Sequence, residues 1–204
     1  ITMRIISIAL LISISSLAVA ATEWHKATRG DWRESPYAAS LPPFCGTSKD
    51  PRWVNVSWAE LKERFGHEIT HSNHLCSALT KIPICRKFIG KDRIACLSSM
   101  SEGYTYWLKH IRNPNYKLLP YIYVAYGDHL NEIGDTGKAI AQYQAALNKD
   151  PKYIKAYKGL IDTYIKLGML KQAEESVNAA LKIKETKSLL RRKEKIEKLT
   201  EDSQ

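Results

Sequence analysis

The sequence predicts an all-α protein, with a short stack of helix-turn-helix repeats in its C-terminal half and a disulfide-stapled helical module before it. Three observations carry this. Residues 120–153 laid over 154–187 match at an offset of 34, bringing Tyr123 onto Tyr157, Leu130 onto Tyr164, Gly134 onto Gly168, Ala139 onto Ala173, Ala146 onto Ala180 and Leu147 onto Leu181. Within both copies the apolar residues recur at helical spacing. All four cysteines, Cys45, Cys76, Cys85 and Cys96, fall in the N-terminal half.

The first twenty residues read as a secretory leader. Met3-Arg4 is a short positive start, Ile5 to Leu17 is nearly all apolar, and Ala18-Val19-Ala20 supplies a small-x-small cleavage pattern. The apolar run is short for a membrane span and has no stop-transfer flank, so no integral membrane segment is expected once it is removed. The expected organisation is therefore a leader over 1–20, a Cys/His helical module over 21–115, two repeats over 116–187, and a basic capping helix and tail over 188–204. The expected location is the periplasm or the cell exterior.

Export makes the cysteines a disulfide framework before it makes them thiols. Three pairings are open. No C-x-x-C motif suggests redox catalysis, and no C-x-x-C-H suggests covalent haem. The formal net charge is +10. Much of the excess lies in Lys182, Lys184, Lys187, Arg191, Arg192, Lys193, Lys195 and Lys198, interleaved with Glu185, Glu194 and Glu197. That interleaving describes a solvated helix rather than a nucleic-acid arm. An acidic partner or an anionic surface fits the excess better than nucleic acid does.

In chain order, Pro42-Pro43-Phe44-Cys45 predicts a rigid extended lead-in, with Trp53 and Trp58 as anchors. Ser57 with Glu60 three residues later is a capping-box signature, so a helix starts at Trp58; Gly66 ends or loosens it. The next helical stretch runs from His67 to about Ile82 and stops at Pro83. If it stays in register, Phe65, Ile69, Ser72, Cys76 and Leu79 share one side. His67, His71 and His74 share the other, with Glu63 beneath them. Cys76 then points into the core, with Cys45 its favoured partner, and Cys85 with Cys96 would close a local loop. A further helix is expected from Arg93 to Ile111, ahead of Asn113-Pro114.

His67-Glu68-Ile69-Thr70-His71 matches the H-E-x-x-H string of zinc proteases. That chemistry needs both histidines on one helical face as ligands, Glu68 as general base and a third ligand from elsewhere. His110, His129, Glu102 and Asp92 are the candidates. Zinc or copper at His67, His71 and His74, as a hydrolase or a metal carrier, is thus the alternative to a non-enzymatic protein without cofactor.

In the repeats, small residues at Gly127, Ala139, Ala146, Ala173 and Ala180 permit close helix packing. Gly134 and Gly168 fall where helices end, and Asp150-Pro151 opens a connection. Tyr123, Tyr126, Gly127, Gly134, Ala139, Tyr143, Ala146 and Pro151 resemble the tetratricopeptide repeat. The second copy departs at Ile161, where a small residue is usual, and at Glu185, where proline is usual. Two repeats need caps; the segment 186–199, with Leu189, Leu190, Ile196 and Leu199, is one, and the helix from Arg93 is the other.

The resemblance implies a short solenoid that binds another protein or peptide on the inner face of each first helix. That face maps to Tyr121, Val124, Asp128, Asn131 and Glu132, then to Lys155, Lys158, Asp162, Ile165 and Lys166. Lys158 matches a position that chaperone-binding members use for a carboxylate, but Asp162 stands where they carry asparagine. A scaffold or assembly factor for an envelope or periplasmic partner is the implied role, and the lysines of the face suit one with some acidic character. The order of Pro-Pro-x-Cys, tryptophans, histidine-rich segment and repeats also resembles a group of exported bacterial proteins with these repeats.

Overall fold

A computed structural model describes residues 25–46 and 56–202. The leader and Trp53 lie outside them. The chain divides between His110 and Ile111 into two compact units; among the described residues every regular element is helical.

In the N-terminal unit Pro42 is extended, but Pro43–Cys45 winds into a 3-10 turn that ends on left-handed Gly46, φ 74°. The lead-in is therefore not extended throughout: Pro43 presets the φ of a first helical residue. Helix α1, Trp58–Phe65, has its capping box complete. Ser57 N donates to Glu60 Oε2 at 2.8 Å, and Glu60 N donates to Ser57 Oγ at 3.3 Å. Trp58 is 38% exposed and anchors little.

Gly66, at φ 90° and ψ 167°, ends α1 outright, and His67–His71 continues as a 3-10 helix. Helix α2, Ser72–Cys85, passes through Pro83 rather than stopping before it. Proline sits in the last turn, and Arg86 N still reaches Ile82 O at 3.0 Å. The single helix expected from Arg93 to Ile111 is two, α3 (Gly90–Ser99) and α4 (Ser101–His110). Around the break Ser99 Oγ donates to Cys96 O at 2.7 Å, the local side-chain bond by which serine bends a helix.

Two contacts set this unit's core. A Cβ on Gly103 of α4 would lie 2.7 Å from both Ala78 Cβ and His74 O of α2, so only glycine permits that crossing. Trp107, fully buried, donates Nε1–H to Glu68 O at 2.8 Å. Phe44 lies 5.2 Å from the Trp107 ring and packs edge-on to Phe65 at 6.4 Å. Cys45–Cys76 fastens the Pro43–Cys45 turn to α2, and Cys85–Cys96 joins the end of α2 to α3. All four cysteines are buried.

The C-terminal unit consists of α5 (Leu119–Ile133), α6 (Thr136–Lys149), α7 (Ile154–Lys166), α8 (Leu170–Ile183) and α9 (Lys187–Glu201). Gly134 takes φ 91° after α5 and Gly168 φ 70° after α7, conformations glycine adopts without a Cβ penalty. At Glu185 no proline is needed, because Lys184 is already extended after α8 and Thr186 caps α9 by accepting from Leu189 N at 3.3 Å. Leu189 and Ile196 of α9 are buried in the common core.

Tyr143 of α6 organises the packing. A Cβ added to Gly127 of α5 would come within 2.6 Å of Tyr143 Cε1, and one on Gly159 of α7 would come closer still. The ring thus fills the place of two missing side chains. At the equivalent positions of the second pair stand Ile161 and Val177, both fully buried: the large residue has moved to the first helix and the smaller one to the second. Ile161 is therefore a volume exchange rather than a defect in the repeat.

Glycine to alanine within a helix ordinarily stabilises by roughly 0.5–1 kcal/mol. Gly159→Ala is expected to reverse that sign, destabilising the chain by about 1–3 kcal/mol through overpacking. Urea unfolding checks it. Combined with Tyr143→Val, the loss should fall well short of the sum of the two single losses.

Candidate partner-binding face

The face expected to bind a partner is carried by α5 and α7, and its polar groups are linked through Tyr143. The Tyr143 hydroxyl donates to Asp128 Oδ1 at 2.8 Å and accepts from Asn131 Nδ2 at 3.1 Å. Asn131 Nδ2 also donates to Thr163 Oγ1, which donates to Gly159 O at 2.7 Å. One network therefore joins α5, α6 and α7. Burial pushes the Tyr143 phenol well above its ordinary range, with Asp128 adding to the rise.

The expected residues divide into three kinds. Val124 is 6% exposed and belongs to the core; burial removes it from any binding face. Asp128, Asn131 and Asp162 are on the face but engaged. The Asp128 carboxyl is raised above its ordinary value, chiefly by burial, against the opposing pull of the Tyr143 hydrogen bond and of Lys155. Asp162 accepts a two-pronged contact from Arg192 of α9, Nε at 2.8 Å and Nη2 at 2.5 Å. Lys155 and Lys166 are exposed and Lys158 half-buried, and none of the three has an ion-pair partner among the described residues.

Tyr121 is half-buried; burial first, then Tyr153 and Asp128, raises its phenol from 10.0 to about 12. Sequence reasoning placed Arg192 in a solvated basic tail and passed over Thr163 and Gly159. Arg192 follows Asp162 by thirty residues, close to one repeat length, which was the available signal.

The histidines do not converge. In a 3-10 helix residues four apart are roughly 120° out of phase, so His67 and His71 leave the common face that H-E-x-x-H requires. His67 is exposed, and the Glu68 carbonyl is taken by Trp107. His71 and His74 instead join a ladder of rings on α4. His74 stacks on Tyr106 at 3.6 Å between centroids, Tyr106 lies 4.1 Å from His110, and His110 stacks on His71 at 4.9 Å. His110 Nδ1 lies 2.7 Å from Tyr106 O. Rings laid face to face aim their in-plane lone pairs alongside one another rather than at one point. His129 is buried in the C-terminal unit. Among the described residues no three histidine, cysteine or carboxylate side chains could share a metal ion.

The sequence profile of the tetratricopeptide repeat matches residues 132–192, from the end of α5 into α9. The segment is a tetratricopeptide-like repeat region in a chain whose described regular elements are all helical. No curated protein and no solved structure matches the chain significantly.

The raised Tyr121 phenol makes a directional prediction. An unfolded chain releases that proton near pH 10 and the folded chain near 12. In that window the folded state binds more protons, so Tyr121's contribution is complete below pH 10 and is lost as pH rises toward 12. Alkaline titration of tyrosinate absorbance should show late-ionising phenols, with one fewer in Tyr121→Phe and that of Tyr143 remaining.

Proposed function

We propose that this chain is a protein-interaction module, a scaffold or assembly factor, whose α5–α7 face binds an acidic segment of another protein. The observation behind the proposal is the uneven pairing of charge on that face. Its carboxylates are satisfied from within, Asp128 by Tyr143 and Asp162 by Arg192, while Lys155, Lys158 and Lys166 form no ion pair among the described residues and only Lys155 feels a through-space pull, toward Asp128. A partner carboxylate placed there meets cations that need break no ion pair of their own. The tetratricopeptide-like helix pairs support the class of function. The leader-like N-terminus and two buried disulfides support a setting outside the reducing cytoplasm, in the periplasm or beyond the cell. The hydrolase alternative finds no support in the stacked histidines.

Lys155→Glu with Lys158→Glu should weaken capture of a co-purifying partner by roughly tenfold or more, and binding to the native chain should fall as salt rises. Undiminished capture by the double variant would remove the lysines from the binding face. Stoichiometric zinc or copper in chain purified without chelator would instead revive the metal reading.

A further inference from the structure

Between Cys85 and Cys96 the chain reads Arg86-Lys87-Phe88-Ile89-Gly90-Lys91-Asp92-Arg93-Ile94-Ala95. The bridge closes this segment with its Cα atoms 5.3 Å apart. Backbone bonds hold the turn: Lys87 N to Ile84 O at 3.0 Å, Phe88 N to Cys85 O at 3.2 Å, and Arg93 N to Ile89 O at 3.4 Å. Ile89 is 86% exposed, whereas Trp58, Ile94 and Leu167, also large and exposed, range from 38% to 43%. Ile94 lies in the same bridged segment.

Ile89 is costly where it stands. It occupies the N-cap of α3 and makes no capping bond, at a position that favours serine, threonine, aspartate or asparagine. It also leaves most of its aliphatic surface in water. With so little of the side chain covered, packing within the unit does not offset either cost. The bridged segment carries four cations, Arg86, Lys87, Lys91 and Arg93, against the one carboxylate of Asp92; the lysines flanking Ile89 are exposed, while Arg93 is half-buried with its Nε covered. Lys87 Nζ lies 5.8 Å over the Tyr37 ring, which steadies one of them.

We propose that this bridged turn is a peripheral docking tip for an anionic lipid surface. Ile89 enters the boundary between headgroups and acyl chains, and the exposed Lys87 and Lys91 on either side of it meet the lipid phosphates. Two features favour lipid over a protein partner. The apolar contribution is one fully projecting side chain, Ile89, with Ile94 less than half exposed, far short of the several hundred Å² of contiguous apolar surface that marks a protein interface. A fluid bilayer accepts such a tip without a shaped pocket, and its single sign of charge matches the cationic surround. The disulfide and turn bonds already hold the loop in one conformation, so little ordering remains to be lost on docking. No helix among the described residues is long and apolar enough to cross a membrane, so the contact is superficial. This inference is independent of the partner proposed for α5 and α7.

Co-sedimentation of the full chain with vesicles tests it, using phosphatidylcholine alone and phosphatidylcholine with about one-third phosphatidylglycerol. The native chain is expected to partition at least about tenfold more strongly onto the anionic vesicles, and Lys87→Glu with Lys91→Glu to lose roughly fivefold or more per cation reversed. Ile89→Asp should weaken anionic binding by about tenfold while Ile89→Leu retains it. Circular dichroism and intact mass should show both bridges and the helices unchanged in every variant. The apolar leader-like segment is common to all of these chains, so the contrasts read the tip. Equal partition on both vesicle types, or Ile89→Asp binding as tightly as the native chain, overturns the proposal. So does binding to an acidic protein surface with the vesicles left bare.

Discussion

The ring of Tyr143 occupies the space that side chains at Gly127 and Gly159 would need, and much of the C-terminal unit follows from that. It ties α6 to the helix before it and the helix after it in one contact. Its hydroxyl then commits Asp128 and Asn131, and through Asn131 it commits Thr163. The polar rim of the α5–α7 face is thus part of the packing. Residues that look available for a ligand in the sequence are holding helices in place, and the lysines between them are what is left to act outward.

The N-terminal unit solves a different problem. Its helices are short and its core small, a size range in which covalent links supplement burial. The glycine crossing at Gly103 brings α2 and α4 into backbone contact, Trp107 fills the space beneath, and the two bridges hold the segments at either end of α2. The unit gains a firm frame around the turn at Ile89.

What the sequence revealed was local. The capping box at Ser57 and Glu60 and the helix-ending glycines depend on neighbours within a few residues, the 34-residue offset only on comparing one copy with the next, and the structure keeps all three. The losses came where distant packing decides. Gly66 at positive φ reset the helix and turned HEITH into a 3-10 segment, dissolving a motif that depends on α-helical phase. Even so, Ile69, Ser72 and Cys76 are buried as the continuous-helix reading had them, because the apolar side must face the core whichever helix carries it. Val124 was assigned to a surface that the core had already claimed. Gly159 looked unremarkable because the ring that requires it is sixteen residues away on another helix.

The exchange between Gly127 with Tyr143 and Ile161 with Val177 has a consequence for how the chain assembles. Duplicated helix pairs with matching surfaces could dock on the wrong copy while folding. Here the two seams are cut to different patterns. A Tyr143 ring set against Ile161 would meet a full side chain where it needs a gap, and Val177 set against Gly127 would leave a hollow. Each pair therefore recognises its own place in the order, and the register of the stack is encoded in side-chain volume rather than in the repeat length alone.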